Sequence, residues 1–340
     1  MINWYLQTGK DSDIVKSVRI RLARNIADIP FVLKQTKEDS LKVIKDIENI
    51  LPSLGYGLHL KKIKDMNNTE KLVYIEKHLI SKEFAIEKND IGAIAINADE
   101  NICITINDED HIRIQVFSSG LELESVLNLA KEIDKKISER LNIAFNEKYG
   151  FLTASLEDVG TGCMASAILH LPVLTITDNI NQVLNVVNTF GINIRGEYGE
   201  TTKIDGDIFE ISIKQTINLT EENSIKNLKI IVNKIIEQER MARKYLAENS
   251  IELEDRVYRA YGIITNCRKI SVEEFKNFIS DVKLGVDLGI IKEITDKQVL
   301  EMQLYTNIGN MQEFLNKNIE INNQDIERAN VIKLIINERR

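Results

Sequence analysis

The segment NDEDHIRIQ, residues 107–115, carries three acids, a histidine and an arginine between two short apolar runs. A solvated turn between two strands would explain this concentration of charge. A site that binds a charged substrate and a phosphate group would explain it as well. The rest of the sequence has to decide between the two interpretations.

Two other segments combine arginine with a backbone geometry that suits an anion. In SVRIRLARN, residues 17–25, Arg19 and Arg21 alternate with apolar residues, so a strand would point both guanidiniums to one face. They repel each other there unless an anion lies between them, and a planar guanidinium suits phosphate oxygens, although a solvated strand edge also fits. In RGEYGE, residues 195–200, the glycines permit close approach of the backbone to a ligand, or simply a tight turn.

The segment DVGTGCMASAILHLP, residues 158–172, is predicted as a glycine-bearing turn that enters a helix. Backbone N–H groups at a helix N-terminus can bind an anion. Many helices start in the same way without binding anything. The segment is therefore a weak indication when it is taken alone.

The apolar pattern predicts a mixed α+β region followed by a helical one. Residues 37–54 and 121–141 have apolar residues at helical spacing, and residues 177–196 are predicted as a helix that ends at a glycine before a strand. Short strands rich in isoleucine and valine are predicted at 71–80, 91–99, 101–108, 112–117 and 206–218. One long amphipathic segment covers 221–250, and further helices are predicted at 271–291 and 322–340.

Composition narrows the class of protein. The chain has 340 residues, of which 43% are hydrophobic and 28% charged, as in ordinary globular proteins. Its net charge of −8 argues against a nucleic-acid partner. The three cysteines form no CxxC pair, so no zinc site is indicated, and no apolar run is long enough to span a membrane. With no signal-peptide pattern at the start of the sequence, a cytoplasmic location is expected.

Taken in order, SVRIRLARN, NDEDHIRIQ, GFLTASLEDVGTG (150–162) and RGEYGE resemble the motif series of the phosphagen (guanidino) kinases. The resemblance is closer to the bacterial protein-directed branch, the protein arginine kinases. Further matching stretches are EKHLIS (76–81), IELEDRVYRAYGIITNCR (251–268) and SDVKLGVDLGIIK (280–292). The resemblance therefore covers nearly the whole chain.

The resemblance implies an α+β fold in two parts. Residues 1–242 would form the catalytic domain, a central antiparallel sheet flanked by helices, and residues 243–340 a small all-α domain for dimerisation and phosphoarginine binding. The implied reaction is phosphoryl transfer from ATP, with Mg²⁺, to the guanidinium of an arginine in a protein. A guanidinium stays protonated and is a poor nucleophile, and paired carboxylates can both orient it and accept its proton.

The resemblance also assigns roles to individual residues. Glu109 is the predicted base, Glu200 the second carboxylate and Asp108 an accessory acid. Arg19, Arg21, Arg113 and Arg195 match the arginines that hold the ATP phosphates, and His78 matches a nucleotide-contacting histidine, whereas His111 is expected to order its loop. The remaining predicted ATP-binding positions are Ser17, Val18, Ile20, Met164, Ala165, Ser166, Ala167, Ile168, Gly196, Glu197, Tyr198 and Gly199.

The sequence departs from the family pattern at the chemistry. Ser155 replaces a reactive cysteine, Met164 replaces a fifth phosphate-binding arginine, and Asp158 stands where asparagine is usual. Lys203 is a hypothetical replacement for the missing charge. A phosphoarginine-binding motif of the C-terminal domain is matched by Gln324, Asp325, Arg328 and Ala329, where Gln324 replaces an arginine and an ordinary amphipathic helix with charge pairing fits equally.

Two classes of function follow from these features. The first is an arginine kinase acting on proteins, with a Clp-type unfoldase and protease downstream, a small zinc-binding activator protein as partner, and a homodimeric state. The second is a catalytically impaired relative that binds proteins or phosphoarginine as an adaptor. The substitutions favour the adaptor, whereas the presence of Glu109, Glu200 and the four arginines favours the enzyme. A small-molecule guanidino kinase is less expected, because no counterpart of that branch's N-terminal domain is seen.

Overall fold

A computed structural model describes residues 3–189, 191–197, 204–213, 220–248 and 250–337 of the chain. The strands are β1 (Val15–Arg24), β2 (His59–Lys62), β3 (Ala93–Ile96), β4 (Ile102–Ile106), β5 (Ile112–Ser119), β6 (Phe145–Asn146), β7 (Gly150–Phe151), β8 (Cys163–His170), β9 (Ile192–Gly196) and β10 (Ile208–Ile213). The helices of the first part are α1 (Lys37–Leu54), α2 (Asn68–Glu76), α3 (Lys82–Glu87), α4 (Leu123–Ser138), α5 (Pro172–Ile176), α6 (Ile180–Thr189) and α7 (Glu221–Ala247). They are followed by α8 (Ser250–Asn266), α9 (Val272–Asp287), α10 (Asp296–Tyr305), α11 (Ile308–Leu315) and α12 (Gln324–Asn337), and short 3-10 turns lie at Trp4–Leu6, Ile63–Asp65, Asp205–Asp207 and Ile321–Asn323.

Eight strands form one antiparallel sheet in the order β2-β3-β4-β5-β1-β8-β10-β9, and β6 pairs with β7 separately. Residues alternate between the two faces of a strand. In β1, Val18, Ile20 and Leu22 lie on the face that is buried against helices. Arg19 and Arg21 lie on the other face. The period-two pattern of β1 therefore separates a core face from a polar face.

The helices α1, α4 and α7 pack against the apolar face and complete the main core. The polar face is divided. Over the β3–β5 side, α2, α3 and the N-terminal turn cover it, and Trp4 stacks on Phe117 of β5. Over β1 it carries Arg19 and Arg21, two of the arginines that the sequence predicts to bind phosphate. The predicted α+β architecture is confirmed.

Two predicted elements are wrong. Residues 71–80 were expected to be a strand, but Asn68–Glu76 is helical because Asn67 and Glu70 form a capping box that starts a helix. Residues 163–170 were expected to be a helix, but they form β8, the neighbour of both β1 and β10. Short apolar runs do not distinguish a strand from a buried helix by periodicity alone. In β8 the alternation of buried alanines with other side chains reflects its central place in the sheet.

The helices α8 to α12 form a second core, which also takes in Val173 of α5. A contact between α11 and α2 joins this part to the first. The Glu76 carboxylate accepts hydrogen bonds from the backbone N–H groups of Gly309, at 2.8 Å, and Asn310, at 2.9 Å. A Cβ on Gly309 would lie 2.7 Å from Leu72 Cβ, so only glycine allows the two helices to come this close.

In the described residues of the C-terminal part, all the regular secondary structure is helical, as predicted. The domain boundary after residue 242 stays a prediction, because α7 continues through it to Ala247. Within the described ranges, none of the helices has both the length and the apolar character required to cross a lipid bilayer.

Candidate active site

The centre of the candidate site is the β1–β8 pair. Arg19 lies opposite Ser166, and Arg21 lies opposite Met164, with Arg21 Nη2 3.4 Å from Met164 Sδ. Arg19 Nη2 is 2.8 Å from Glu210 Oε1 on β10. Burial raises the pKa of Glu210, but the charge of Arg19, a hydrogen bond from Ser166 and the more distant charges of His78 and Arg21 together outweigh it, so the pKa of the carboxyl is held below its usual value.

The acidic segment that precedes β5 folds back onto Arg113. Its guanidinium Nη1 is 3.2 Å from Asp108 Oδ2, its Nη2 contacts Glu109 Oε2, and its Nε is 3.5 Å from Asp110 Oδ2. Burial alone would lower the pKa of Arg113, but the carboxylates of Asp108, Asp110 and Glu109 outweigh it and raise the pKa. The Glu109 side chain is 49% exposed, so this carboxylate is open to a molecule arriving from solvent.

A second loop, residues 152–162, is joined to the acidic segment by Asp110. The Asp110 Oδ1 accepts from Ala154 N, at 2.7 Å, and from Asn25 Nδ2, at 2.7 Å. His111 accepts from Ile26 N through Nδ1 and is 2.9 Å from the Pro30 carbonyl through Nε2. His111 and Asp110 therefore order the loop, and both are buried away from solvent.

The 152–162 loop places Asp158 beside the arginines. Its Oδ2 is 3.3 Å from Arg21 Nη2 and 3.9 Å from Arg113 Nη2. Ser155, in the same loop, accepts a hydrogen bond from Glu157 N and so closes a turn. These two departures from the family pattern thus lie at the site, Asp158 at its centre and Ser155 on its supporting loop, together with Met164 on β8.

The buried arginines retain unused hydrogen-bonding capacity. Arg21 Nε and Arg113 Nε are buried donors without a hydrogen-bond partner, although Arg113 Nε has Asp110 at ion-pair distance. Burial and the neighbouring charge of Arg113 lower the pKa of Arg21. Orphaned buried donors are costly, and an anion between the two guanidiniums would satisfy them. The residues at this point fit the phosphate groups of a nucleotide.

A second charged group lies towards the N-terminal end of β1. Lys16 Nζ contacts Glu197 Oε1, and the same oxygen is 3.6 Å from His78 Nε2. Burial raises the pKa of Glu197, but Lys16 and His78 reverse the effect and hold it well below its usual value. His78 has a left-handed backbone, with φ of 59°, directly after α2. The group lies at a cavity of about 80 Å³ between the sheet and helices α9 and α10.

Those of the other predicted ATP-binding residues that the structure describes fall into three groups. Ser17 and Ile168 line the same cavity as His78. The side chains of Val18, Ile20, Ala165 and Ala167 belong to the helix-covered core, so they support the strands rather than face a ligand. Arg195 is exposed and Gly196 buried at the end of β9. Tyr198, Gly199, Glu200 and Lys203 lie outside the described residues.

The predicted phosphoarginine motif lies at the start of α12. Gln324 and Asp325 are partly exposed, and Ala329 is buried. Arg328 is only 2% exposed and donates to the carbonyls of Thr306, at 3.0 Å, and Ile270, at 2.7 Å, and to Asp325 Oδ1, at 2.7 Å. The Arg328–Asp325 contact is the i,i+3 pair of an ordinary helix, and the guanidinium ties α12 to two neighbouring segments.

The sequence reasoning missed three residues of the site. Glu210 is the one acid within the mostly apolar strand β10, and this pattern was a usable signal. Lys16 directly precedes the predicted range that begins at Ser17, and its partner Glu197 is 181 residues away in the chain, so the sequence could not indicate the pair. Arg24, fully buried, binds Asp134 at 2.9 and 2.8 Å and the Thr161 carbonyl at 3.0 Å, and so supports the glycine loop.

Comparison with known proteins identifies the family. Residues 42–242 match the family described as ATP:guanido phosphotransferase, C-terminal catalytic domain, and residues 250–339 match the protein-arginine kinase McsB C-terminal domain. A protein-arginine kinase of Geobacillus sp. (strain WCH70) is 42% identical over 337 residues, which are 97% of this chain and 92% of that protein. The protein-arginine kinase of Bacillus subtilis (strain 168) is 38% identical over the same shares.

Solved structures agree at the level of the fold. A duplicated taurocyamine kinase from Schistosoma mansoni aligns with a TM-score of 0.61 at 24% identity over 74% of this chain. The chain covers only 38% of that duplicated protein. A lombricine kinase aligns with a TM-score of 0.59 at 22% identity, over 69% of this chain and 68% of that protein. The chain belongs to the ATP:guanido phosphotransferase family and, within it, to the protein-arginine kinases.

Proposed function

We propose that this protein transfers the γ-phosphoryl group of ATP to the guanidinium of arginine side chains in proteins. The observation that carries the proposal is the juxtaposition of two kinds of group. Arg21 Nε and Arg113 Nε are buried donors without a hydrogen-bond partner, and Arg113 also contacts the half-exposed carboxylate of Glu109. The guanidinium donors suit a phosphate group, and the Glu109 carboxylate suits the guanidinium of an acceptor arginine. The relatives named protein-arginine kinase support the same assignment.

The arginines supply most of the catalytic power in this proposal. Phosphoryl transfer needs little covalent help from the protein, so positioning and positive charge dominate. Arg19, Arg21, Arg113 and Arg195 would bind the phosphate oxygens. Mg²⁺ would screen the charge of the phosphates when it is bound together with the nucleotide.

Glu109 acts as the base. The acceptor arginine replaces Arg113 at the Glu109 carboxylate, a guanidinium nitrogen attacks the γ-phosphorus, and the bond to the β,γ-bridging oxygen breaks. The proton lost by the nitrogen passes to Glu109, and ADP leaves with the electron pair of the broken bond. Asp108 helps to hold Arg113 while this exchange occurs. Glu200 remains the proposed second carboxylate and lies outside the described residues.

The remaining nucleotide contacts are proposed from where the residues lie in the structure. Ser17, His78 and Ile168 border one cavity and would face the part of the nucleotide beyond the phosphates, with Glu197 holding His78. On β8, Ser166 and Met164 lie opposite Arg19 and Arg21 of β1, where they would lie close to the phosphates. Phosphoarginine binding at Gln324, Asp325, Arg328 and Ala329 stays a proposal, and it requires Arg328 to leave three internal hydrogen bonds.

The wider biological role is proposed from the resemblance. Phosphoarginine would mark proteins for a Clp-type unfoldase and protease, with a zinc-binding activator protein as partner. A homodimer, a cytoplasmic location and a domain boundary after residue 242 belong to the same proposal. The separate family matches that end at 242 and begin at 250 support the boundary.

The proposed activity is tested with an arginine-rich acceptor protein and MgATP, beside Glu109→Gln. Phosphate on nitrogen is labile to acid, unlike phosphate on serine, so acid treatment identifies the product. Acid-labile phosphate in the wild type that falls at least 100-fold in the variant is the expected result, since general-base catalysis contributes about 10²–10⁴-fold. No transfer by a folded protein under any magnesium or activator condition would contradict the proposal.

A second candidate function is an adaptor that binds proteins or phosphoarginine without turnover. The observation that favours it is the contact of Met164 and Asp158 with Arg21, where the family pattern has a further arginine and a neutral side chain. The same assay separates the two. An adaptor would bind a phosphorylated acceptor protein, would not transfer phosphate, and would lose binding in Asp325→Ala.

A further inference from the structure

Asp158 is a carboxylate at the centre of the proposed phosphate site. Its Oδ2 lies 3.3 Å from Arg21 Nη2 and 3.9 Å from Arg113 Nη2. Only 2% of its side chain is exposed, and its Oδ1 is buried without a hydrogen-bond partner. A carboxylate therefore occupies guanidinium surface that the phosphate oxygens of a nucleotide would need.

An ionised Asp158 and a bound phosphate would repel each other. Two unit charges about 4 Å apart interact by about 4 kcal/mol at an effective dielectric constant of 20. The carboxylates of Asp110 and Glu109 add charge of the same sign, while Arg21 and Arg113 must be shared between all of these groups. When like charges are confined in one site, protonation of one of them relieves the repulsion.

The surroundings of Asp158 already favour its neutral form. Burial raises the pKa of the carboxyl above its usual value, although Arg21 and Arg113 oppose the shift. Asp110 and Glu109 raise it further. A phosphate group that binds to Arg21 and Arg113 would withdraw part of the opposing effect and would add negative charge. Nucleotide binding therefore acts on Asp158 in the same direction as its burial.

We propose, on the basis of the ATP-dependent function proposed above, that Asp158 binds the nucleotide phosphate as a neutral acid and takes up one proton from solvent when ATP binds. The proton lies between Oδ2 and a phosphate oxygen, and no covalent bond to phosphorus changes in this step. A protonated carboxyl donates one hydrogen bond, whereas a carboxylate donates none. Asp158 thereby joins the arginines as a nucleotide-binding residue and makes ATP affinity depend on pH.

Proton uptake by Asp158 would make ATP affinity decrease as pH rises. If one proton is taken up, the dissociation constant for ATP rises about tenfold for each pH unit above the pKa of Asp158 in the free protein. The rise continues for as long as the nucleotide complex stays protonated. A residue that only supports the loop would give no such slope.

Isothermal titration calorimetry of MgATP binding tests the proposal. Titrations at one pH in two buffers with different ionisation enthalpies count the protons that the complex takes up. Three full-length proteins are compared: the wild type, Asp158→Asn and Glu157→Gln. Asparagine keeps the shape and a donor but does not titrate. Glu157, the preceding and exposed residue, gives the same change of charge in the same loop.

The expected result is a proton count that is lower by up to one in Asp158→Asn than in the other two proteins. Protonation of ATP itself is common to all three and cancels in the comparison. Equal counts in three proteins that bind ATP would overturn the inference and leave the proposed function standing. Absence of MgATP binding in the folded wild type would instead overturn the proposed function, and the inference with it.

A second variant covers the case in which Asp158→Asn does not fold. Asp158→Ser removes the titrating group and retains a small hydroxyl donor. Its proton count is expected to match that of Asp158→Asn, and circular dichroism establishes that each protein is folded. A wild-type proton count in Asp158→Ser would overturn the inference in the same way.

Discussion

Replacing Met164 by arginine tests whether the candidate site lacks one phosphate-binding cation. Met164 lies directly opposite Arg21 in the β1–β8 pair, and its Sδ is 3.4 Å from Arg21 Nη2. A guanidinium at position 164 would therefore reach the same space. Removal of one preorganised transition-state donor typically costs about 10²–10³-fold in rate. We expect Met164→Arg to raise kcat for arginine phosphorylation by about 10²-fold.

The added charge should also destabilise the nucleotide-free protein. Directly opposed residues of an antiparallel pair have Cβ atoms about 4.5–5.5 Å apart. Two unit charges at about 5 Å repel by about 3 kcal/mol at an effective dielectric constant of 20. Asp158, 3.3 Å from Arg21, offsets part of that repulsion. A loss of up to about 3 kcal/mol in the free energy of unfolding is expected, and saturating MgATP should reduce the loss.

The assay combines turnover of an arginine-bearing acceptor protein with urea unfolding, with and without MgATP. Met164→Leu is the matched control, because it preserves apolar volume and should cost less than about 1.5 kcal/mol without changing kcat. An unchanged kcat in Met164→Arg would refute the idea of a missing cation. The hypothesis that Lys203, outside the described residues, already supplies the charge would then be tested by Lys203→Ala.

Three other predictions concern the scaffold of the site. Arg24→Met leaves the carboxylate of Asp134 unpaired and should lower the free energy of unfolding in urea by about 3–5 kcal/mol. The double variant with Asp134→Leu should recover most of this loss. If the effects of the two substitutions were simply additive, this account would be contradicted. Burial and nearby cations hold the pKa of His170 well below its usual value, so the folded protein favours the neutral imidazole. The free energy of unfolding should therefore decrease as pH falls below about 6.5, by up to about 1.4 kcal/mol per pH unit. His170→Asn should flatten that slope, whereas the exposed His59→Asn should not. Gly309→Ala should weaken the α11–α2 contact and speed hydrogen exchange in α11, because its Cβ would lie 2.7 Å from Leu72. Gly262→Ala is the control: the space around Gly262 is open, so hydrogen exchange in α11 should stay unchanged.

The sequence was informative where one periodicity extended over a long element. The helices at 37–54, 123–138 and 221–247 follow from their apolar spacing. The segments that failed are short and mostly apolar. Residues 163–170 are a strand because they have β1 and β10 on either side, and this fact belongs to the tertiary structure rather than to the segment.

For the candidate site, the sequence predicted several member residues but none of the contacts between them. The motif order indicated Arg19, Arg21, Arg113 and Glu109. It could not indicate that Glu210 pairs with Arg19, because 191 residues separate them in the chain. Nor could it show that Arg328 is buried, since a charged residue at helical spacing usually faces solvent. Only the packing of α12 against the segments at Thr306 and Ile270 encloses that side chain.

The contact between Glu109 and Arg113 bears on the choice between enzyme and adaptor. In the described structure Glu109 already binds a guanidinium, that of Arg113, at a half-exposed position. An acceptor arginine can take this place by exchanging one guanidinium for another, so the carboxylate is never left without a partner. Arg113 keeps Asp108 and Asp110 as partners and can turn Nη2 towards a phosphate. An adaptor that binds only the phosphate has no use for such an exchange. The arrangement therefore favours a site that brings a guanidinium and a phosphoryl group together.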